Sequence, residues 1–303
     1  MIKRTIYIES PCRLFTQLEQ LVVCYAHVKG MEDIPDKTVP IEDIAYLVLD
    51  HEQITISHRL LDKLLANNTA VVTCNEKHHP TGMFLNLDGN TIQSERFRAQ
   101  IQATEPLKKQ LWQQTIKAKI QNQQSVLDHW HIASGYMHTC SKAVKSGDSG
   151  NEEAKASLYY WHHLFPAAWH FTRKREGAPP NNLLNYGYSI LRASVARSLV
   201  GSGLLPTLGI FHRNRYNAFC LADDIMEPYR PYVDRMVRTI IDHTSQVNEL
   251  NKELKAQLLS LPTIDVTIDN TTKPLMLAIQ TTTASLAKCY LGEARKISYP
   301  LLY

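Results

Sequence analysis

Two kinds of hydrophobic pattern divide the chain near Asn90. Before it, apolar residues come in short runs of strand length: Thr5–Ile8, Leu21–Tyr25, Ala45–Leu49, Ile54–Ile56, Ala70–Thr73 and Met83–Leu87. Turn-forming pairs separate them, among them Ser10-Pro11, Pro35-Asp36 and Asn67-Asn68. One amphipathic segment interrupts the series, with Ser57 placed to cap a helix whose stripe is Leu60, Leu61, Leu64 and Leu65. Residues 1–90 are therefore predicted to form a β-rich domain carrying one helix, a scaffold or dimerisation module. Its loop pair His78-His79 reads as solvated, because adjacent loop histidines rarely bind one metal together.

After Asn90 the spacing becomes helical, and Gln, Lys, Ala and Leu dominate. The segment Pro106–Gln123 sets Leu107, Leu111, Ile116 and Ile120 on one side and Lys108, Lys109, Lys117 and Lys119 on the other. The lysine side fits a solvated face or a track for phosphates equally well. A helix is predicted from Glu152 to Trp161, capped by Asn151, and another from Asn182 through Arg197. Val233, Met236, Val237, Ile240 and Ile241 mark a third amphipathic helix. The last forty residues, Thr-rich and then Ala- and Leu-rich from Pro274, read as helix packing with a short tail. Residues 91–303 are predicted to be an all-α catalytic domain, which makes the fold class α+β with two domains.

Composition narrows the classes only slightly. A hydrophobic share of 44% and a charged share of 20% over 303 residues are those of an ordinary globular protein. The net charge of +4 permits nucleic-acid binding without demanding it. Six cysteines without a C-x-x-C pair argue against a zinc site and a disulfide framework. Neither a leader-like apolar run nor a stretch near 18 apolar residues is visible, so a cytoplasmic location and no membrane association are expected.

Candidate chemistry concentrates in Gly209–Pro231. His212 is followed by Arg213 and Arg215, then by Asp223, Asp224 and Glu227. Asp224 and Glu227 stand three apart, a spacing that shares a helix face. One histidine with carboxylates suits Mg2+ or Mn2+ better than zinc, and nearby arginines imply an anionic substrate. Upstream, Glu153 shares its face with Ala156, Ser157 and Tyr160, which leaves room for a metal and a phosphodiester. Glu152 falls instead near Lys155 and Tyr159, as in a surface pair. The run Arg173, Lys174 and Arg175 is a basic loop, and Asn185 and Tyr188 offer an amide and a phenol to support metal-bound carboxylates. A Gly-rich phosphate loop, a G-x-S-x-G elbow and H-E-x-x-H are all absent.

Three blocks then occur in a set order: N-E-E-A-K-A-S-L-Y-Y-W from Asn151, N-L-L-N-Y-G-Y-S-I-L from Asn182, and P-T-L-G-I-F-H-R through A-D-D-I-M-E-P from Pro206 to Pro228. This order resembles the CRISPR-associated endonuclease/integrase family, the first Cas protein, which inserts new spacers into CRISPR arrays. The glutamate fifteen residues after the histidine resembles the branch found beside the Cas-nine effector. The resemblance implies metal ligands at Glu153, His212 and Glu227, with Asp224 in a supporting place. It implies a homodimer, a second Cas protein bridging two dimers, double-stranded DNA as substrate, and contact with the Cas-nine effector. The implied chemistry is attack of a captured fragment's 3′-hydroxyl on a phosphodiester, with the metal stabilising charge at phosphorus. Two other readings stay open, a non-catalytic DNA-binding scaffold and a metal hydrolase acting on small molecules.

Overall fold

Strand-length runs and helical spacings sort into two compact units, Met1–Thr91 and Ile92–Tyr303. The computed structural model describes residues 3–174, 176–244 and 246–302.

The first unit holds β1 (Arg4–Ile8), β2 (Cys12–Gln17), β3 (Gln20–Cys24), β4 (Lys37–Pro40), β5 (Ile44–Leu49), β6 (Ile54–Ile56), α1 (His58–Ala66), β7 (Ala70–Cys74) and β8 (Pro80–Phe84). They form two four-stranded sheets, ordered β1-β5-β7-β8 and β4-β3-β2-β6. In the first sheet β1, β5 and β7 run parallel, and β8 closes it antiparallel to β7. Strands β2 and β3 join through Leu18 and Glu19, both at positive φ, the turn sense that follows strand twist. Ser57 caps α1 by accepting from the Leu60 amide, and Leu60 and Leu64 are buried with Leu14, Leu21, Ile44, Leu47 and Val71. Sequence patterning missed β2 and β4, whose apolar residues alternate with Arg13, Thr16, Lys37 and Thr38 and so form no continuous run. The strand predicted at Met83–Leu87 lies at Pro80–Phe84, where the register pairs Phe84 with Val71. His78 is not simply solvated, since its Nδ1 lies 2.9 Å from Oδ1 of the buried Asp50.

The second unit comprises α2 (Gln93–Ile101), α3 (Glu105–His129), α4 (Gly135–Ala143), α5 (Glu152–Leu164), α6 (Asn181–Gly201), α7 (Cys220–Met226), α8 (Arg230–His243), α9 (Lys252–Leu259), β9 (Asp265–Ile268), β10 (Thr271–Pro274) and α10 (Leu275–Tyr290). Helix α3 runs through its centre, packed by α4, α5 and α8. Its buried side is broad and carries polar groups, Thr115, Lys119, Asn122 and Gln123, among Leu111, Trp112, Ile116 and Ile120. Asn122 donates to the carbonyls of Pro228 and Pro300 and accepts from the Leu302 amide, tying the C-terminal tail to α3. Helices α6 and α8 approach closely at Gly187, where a Cβ would lie 2.5 Å from Val233 Cγ1. The unit is not all-α: β9 and β10 form an antiparallel hairpin, and Thr267 also bridges to Leu301. Its turn, Asp269-Asn270, has positive φ at both residues, so an Asp-Asn pair between β-branched runs was the missed signal.

Candidate functional site

Helix α5 begins where Asp148 makes it begin. Its Oδ1 accepts from the Glu152 amide at 2.9 Å and its Oδ2 from the Glu153 amide at 3.0 Å. The predicted cap, Asn151, sits at φ 53 and makes no side-chain cap, so the carboxylate three residues earlier takes that role at the positive helix end. This places Glu152 and Glu153 one after the other but sends them to different partners. Glu152 Oε1 pairs with Lys155 Nζ at 2.7 Å, whereas Glu153 Oε1 turns inward to Lys119 Nζ at 2.6 Å.

Asp224, in α7, organises the loop that carries the histidine. It is fully buried, and its Oδ2 accepts from the amides of Ile210 at 2.7 Å and Phe211 at 2.9 Å. Its Oδ1 takes the His212 amide at 3.2 Å and faces His212 Nδ1 at 2.5 Å. The loop wraps so tightly that a Cβ at Gly209 would fall 2.4 Å from the His212 carbonyl oxygen, and only glycine fits. With Nδ1 fixed by a carboxylate, Nε2 is the ring nitrogen left for a ligand, the usual arrangement behind a metal-binding imidazole. The bond to Asp224 also raises the His212 pKa, with smaller contributions from the Glu227 and Glu153 charges. Trp112 stacks on Phe211 with centroids 4.3 Å apart and planes 1° apart, and both present edges to the imidazole.

Glu227 opens a 3-10 turn, Glu227–Tyr229, directly after α7. Its Oε1 accepts from Arg230 Nε at 2.9 Å and its Oε2 lies 2.6 Å from Lys119 Nζ. Burial pushes the Glu227 pKa up, but Arg230 and Lys119 outweigh it and hold the carboxyl at about 2. Arg230 in turn lies over the Tyr188 ring, 4.6 Å from its centroid. Asp224 and Glu227 therefore do different jobs despite their spacing: one frames the histidine loop, the other meets two cations.

The centre of the arrangement is Lys119, only 8% exposed, with one ammonium between two carboxylates. Among the described residues no three His, Cys, Asp or Glu side chains converge as a ready metal cluster, because the ammonium stands between Glu153 and Glu227. The donors nonetheless fit a hard divalent cation. Two carboxylates already converge on one positive charge, and the buried Glu227 Oε2 has the Lys119 ammonium as its partner at 2.6 Å.

Other expected residues are placed as follows. Asn185 Oδ1 accepts from Arg173 Nη2 at 2.8 Å. The Tyr188 hydroxyl donates to Asp234, not to a carboxylate of the site, so its support for Glu227 runs through the ring under Arg230. Arg173 is engaged internally by Asn181, Asn185 and the Lys174 carbonyl, whereas Lys174 is exposed and Arg175 lies outside the described residues. Arg213 grips Glu105 with both carboxylate oxygens, at 2.8 and 2.7 Å, and Arg215 lies over the exposed Tyr216. Sequence reasoning missed Lys119, Arg230, Asp148 and Trp112. Lys119 and Trp112, seven apart on α3, share its buried face.

Behind the site, Asp234 accepts from the hydroxyls of Tyr188 and of Tyr160, the latter at 3.0 Å. Burial raises its pKa to about 7 against the opposing pull of these bonds. The folded carboxyl thus holds its proton where the unfolded one, near 3.9, has lost it. Stability from this group is full below pH ~4 and is lost as pH rises to about 7, up to ~4 kcal/mol in all. Asp234→Asn is expected to flatten that fall, which thermal melts of both proteins at pH 5 and pH 8 will show. Parallel losses in the two proteins would contradict it.

A long buried helix presents a cation to two carboxylates in a helical unit that also carries a carboxylate-anchored histidine. The family model described as CRISPR associated protein Cas1 matches residues 6–264. The CRISPR-associated endonuclease Cas1 of Neisseria meningitidis serogroup C (strain 8013) is 35% identical over 271 residues, 89% of this chain and 86% of that protein. The CRISPR-associated endonuclease Cas1 2 of Pyrobaculum aerophilum is 28% identical over 261 residues, 82% of this chain and 88% of that protein. The chain belongs to the Cas1 family. Solved structures share its fold. A casposase bound to integration product gives a TM-score of 0.78 at 19% identity, over 98% of this chain and 92% of that one. A Cas6-RT-Cas1–Cas2 complex gives 0.72 at 19% identity, over 97% of this chain and 35% of that one. Among the described residues no helix is long and apolar enough to cross a membrane.

Proposed function

We propose that this protein is a metal-dependent DNA nuclease and integrase of CRISPR adaptation: the 3′-hydroxyl of a captured fragment attacks a phosphodiester of the array, a new P–O bond forms, and the array P–O3′ bond breaks to release that strand's 3′-hydroxyl. Family membership and the endonuclease name of the Neisseria relative support the reaction class. The observation that carries it is the convergence of Glu153 and Glu227 on one cation position beside His212. A Mg2+ or Mn2+ ion held by Glu153, His212 and Glu227 supplies Lewis-acid neutralisation of charge on the phosphodiester.

The chain's own residues prepare that place. Asp224 fixes the imidazole so that Nδ1–H is spent and Nε2 keeps its lone pair for the ion. Glu227 stays ionised throughout the working pH range because Arg230 and Lys119 hold its pKa down. Arg230 is locked by Tyr188 and by Glu227, which sets the carboxylate's angle. No protein nucleophile is required, since the substrate brings its own hydroxyl. Lys174, Arg213 and Arg215 are positioned to meet phosphates. The Arg213–Glu105 pair is exposed and worth little, so an incoming strand can replace it. A homodimer, with a second Cas protein bridging two of them, is the assembly in which we place it, and the Cas1–Cas2 complex among the structural relatives favours that partner.

The test is integration of a labelled fragment into a supercoiled CRISPR plasmid, with and without the second Cas protein. Product is expected with Mn2+, lost in EDTA and restored when Mn2+ is returned. Undiminished integration in EDTA would sink the metal-dependent reading.

A further inference from the structure

Lys119 lowers the Glu227 pKa, but the metal-dependent reading leaves its place between the two carboxylates unexplained. Its Nζ lies 2.6 Å from Glu153 Oε1 and 2.6 Å from Glu227 Oε2, and its side chain is buried. We propose that Lys119 is a resident cation that holds the two carboxylates together before a metal arrives and must leave when it does. The inference rests on the metal-dependent reading above and adds a competitor to it.

Geometry makes the two cations exclusive. A divalent ion sits ~2.0–2.6 Å from carboxylate oxygens, depending on its size. An ion bridging these same two oxygens would occupy the space the ammonium fills. The ammonium would also lie against a double positive charge with little water to screen it. Lysine suits this exchange because its charge sits on a flexible stem of four carbons that can swing away, which a locked arginine fork cannot do. The contrast is visible in the same cluster, where Arg230 is held by Glu227 and stacked on Tyr188. The ammonium stands between half-buried Glu153 and buried Glu227; without it Arg230 alone would balance the two negative charges, which is destabilising. The buried lysine thus keeps an empty site from springing open and sets a threshold of metal that must be exceeded to load it.

Lys119→Met keeps the length and removes the charge. Without DNA, the variant is expected to bind Mn2+ at least about tenfold more tightly by titration calorimetry, since no internal cation has to be displaced. Its metal-free melting temperature is expected to fall, and saturating Mn2+ to raise it more than in the wild type. Equal or weaker Mn2+ binding in the variant would overturn the proposal. Should the variant not fold, the wild type decides. Lys119 is expected to resist an amine-modifying reagent without metal and to become reactive with saturating Mn2+, read by mass spectrometry of the peptide. Protection that persists while Mn2+ demonstrably binds overturns this inference and leaves the metal-dependent reading intact. Failure of the wild type to bind Mn2+ at all overturns both.

Discussion

Glu153→Ala is expected to reduce strand transfer by about a thousandfold or more while duplex binding in a gel shift stays within about threefold of wild type. The split follows from where the residue sits. Its carboxylate turns inward onto the cation position and is far from carrying the fold, being half-buried with one ion-pair partner. Duplex affinity comes instead from basic groups that neutralise phosphates, none of which Glu153 supports directly. Glu227 requires more care. It is 5% exposed and balances both Arg230 and Lys119, so Glu227→Ala would strand a buried lysine and a partly buried arginine at a cost of ~3–5 kcal/mol. Glu227→Gln keeps the shape and is the variant to use, with the same expected loss of transfer. Glu152→Ala serves as the internal control. Glu152 is buried and not the surface residue its spacing suggested, but its partners are Lys155 and Cys140 and not Lys119, so transfer is expected to remain within about threefold of wild type. Integration by Glu153→Ala with loss in Glu152→Ala would reverse the assignment of the two neighbours.

How far the site could be read from sequence depends on which residues needed tertiary information. Glu153, His212, Asp224 and Glu227 announce themselves because carboxylates and a histidine in ordered blocks are chemically conspicuous. Helix geometry separates Glu153 from Glu152, since small neighbours lie on its face, and Glu153 is the one whose carboxylate reaches Lys119. Lys119 could not be found that way. Three of its lysine companions, Lys108, Lys109 and Lys117, are half-buried or exposed, and the pattern of a charged face is the same whether or not one member turns inward. Only the packing of α5 and of the Glu227 turn onto α3 tells Lys119 from the others.

The fold shows the same division. Continuous apolar runs located β5 and β7 because both sides of these strands are covered, while β2 and β4 alternate with polar residues and leave no run. Helix interiors were legible and their starts were not. Asn151 has the right residue type for a cap, yet Asp148 wins because the chain between them turns through positive φ at Asp148 and Asn151 and brings the earlier carboxylate over the first amides. In the C-terminal unit, threonine-rich sequence was absorbed into a helical reading, although Asp269-Asn270 between β-branched residues specifies a hairpin. In each case a short polar segment decided the geometry, and hydrophobic periodicity is blind to such segments.

Asp224→Asn is expected to weaken Mn2+ binding by about 10- to 100-fold and to lower strand transfer at least as much, although Asp224 touches no metal in the proposed site. The carboxylate accepts from three consecutive backbone amides and from the imidazole Nδ1, all in a space where Gly209 leaves no room for adjustment. An amide in its place has one acceptor oxygen and an NH2 group. If the oxygen keeps the Ile210 and Phe211 amides, the NH2 faces the imidazole and favours the opposite tautomer, with the proton on Nε2. If it turns to keep the imidazole, two buried amides meet a donor and lose their partner, at ~1–3 kcal/mol each. Either outcome removes His212 as a prepared ligand. The neighbouring Asp223 provides the comparison, because it pairs with Arg192 and Asn217 and, among the described residues, is not bonded to His212. Asp223→Asn is therefore expected to bind Mn2+ within about twofold of wild type. Calorimetry on both variants, with melting temperatures as a check on folding, separates a role in preparing His212 from a general requirement for acids in α7. Equal weakening in the two would mean that Asp224 does not act through the imidazole.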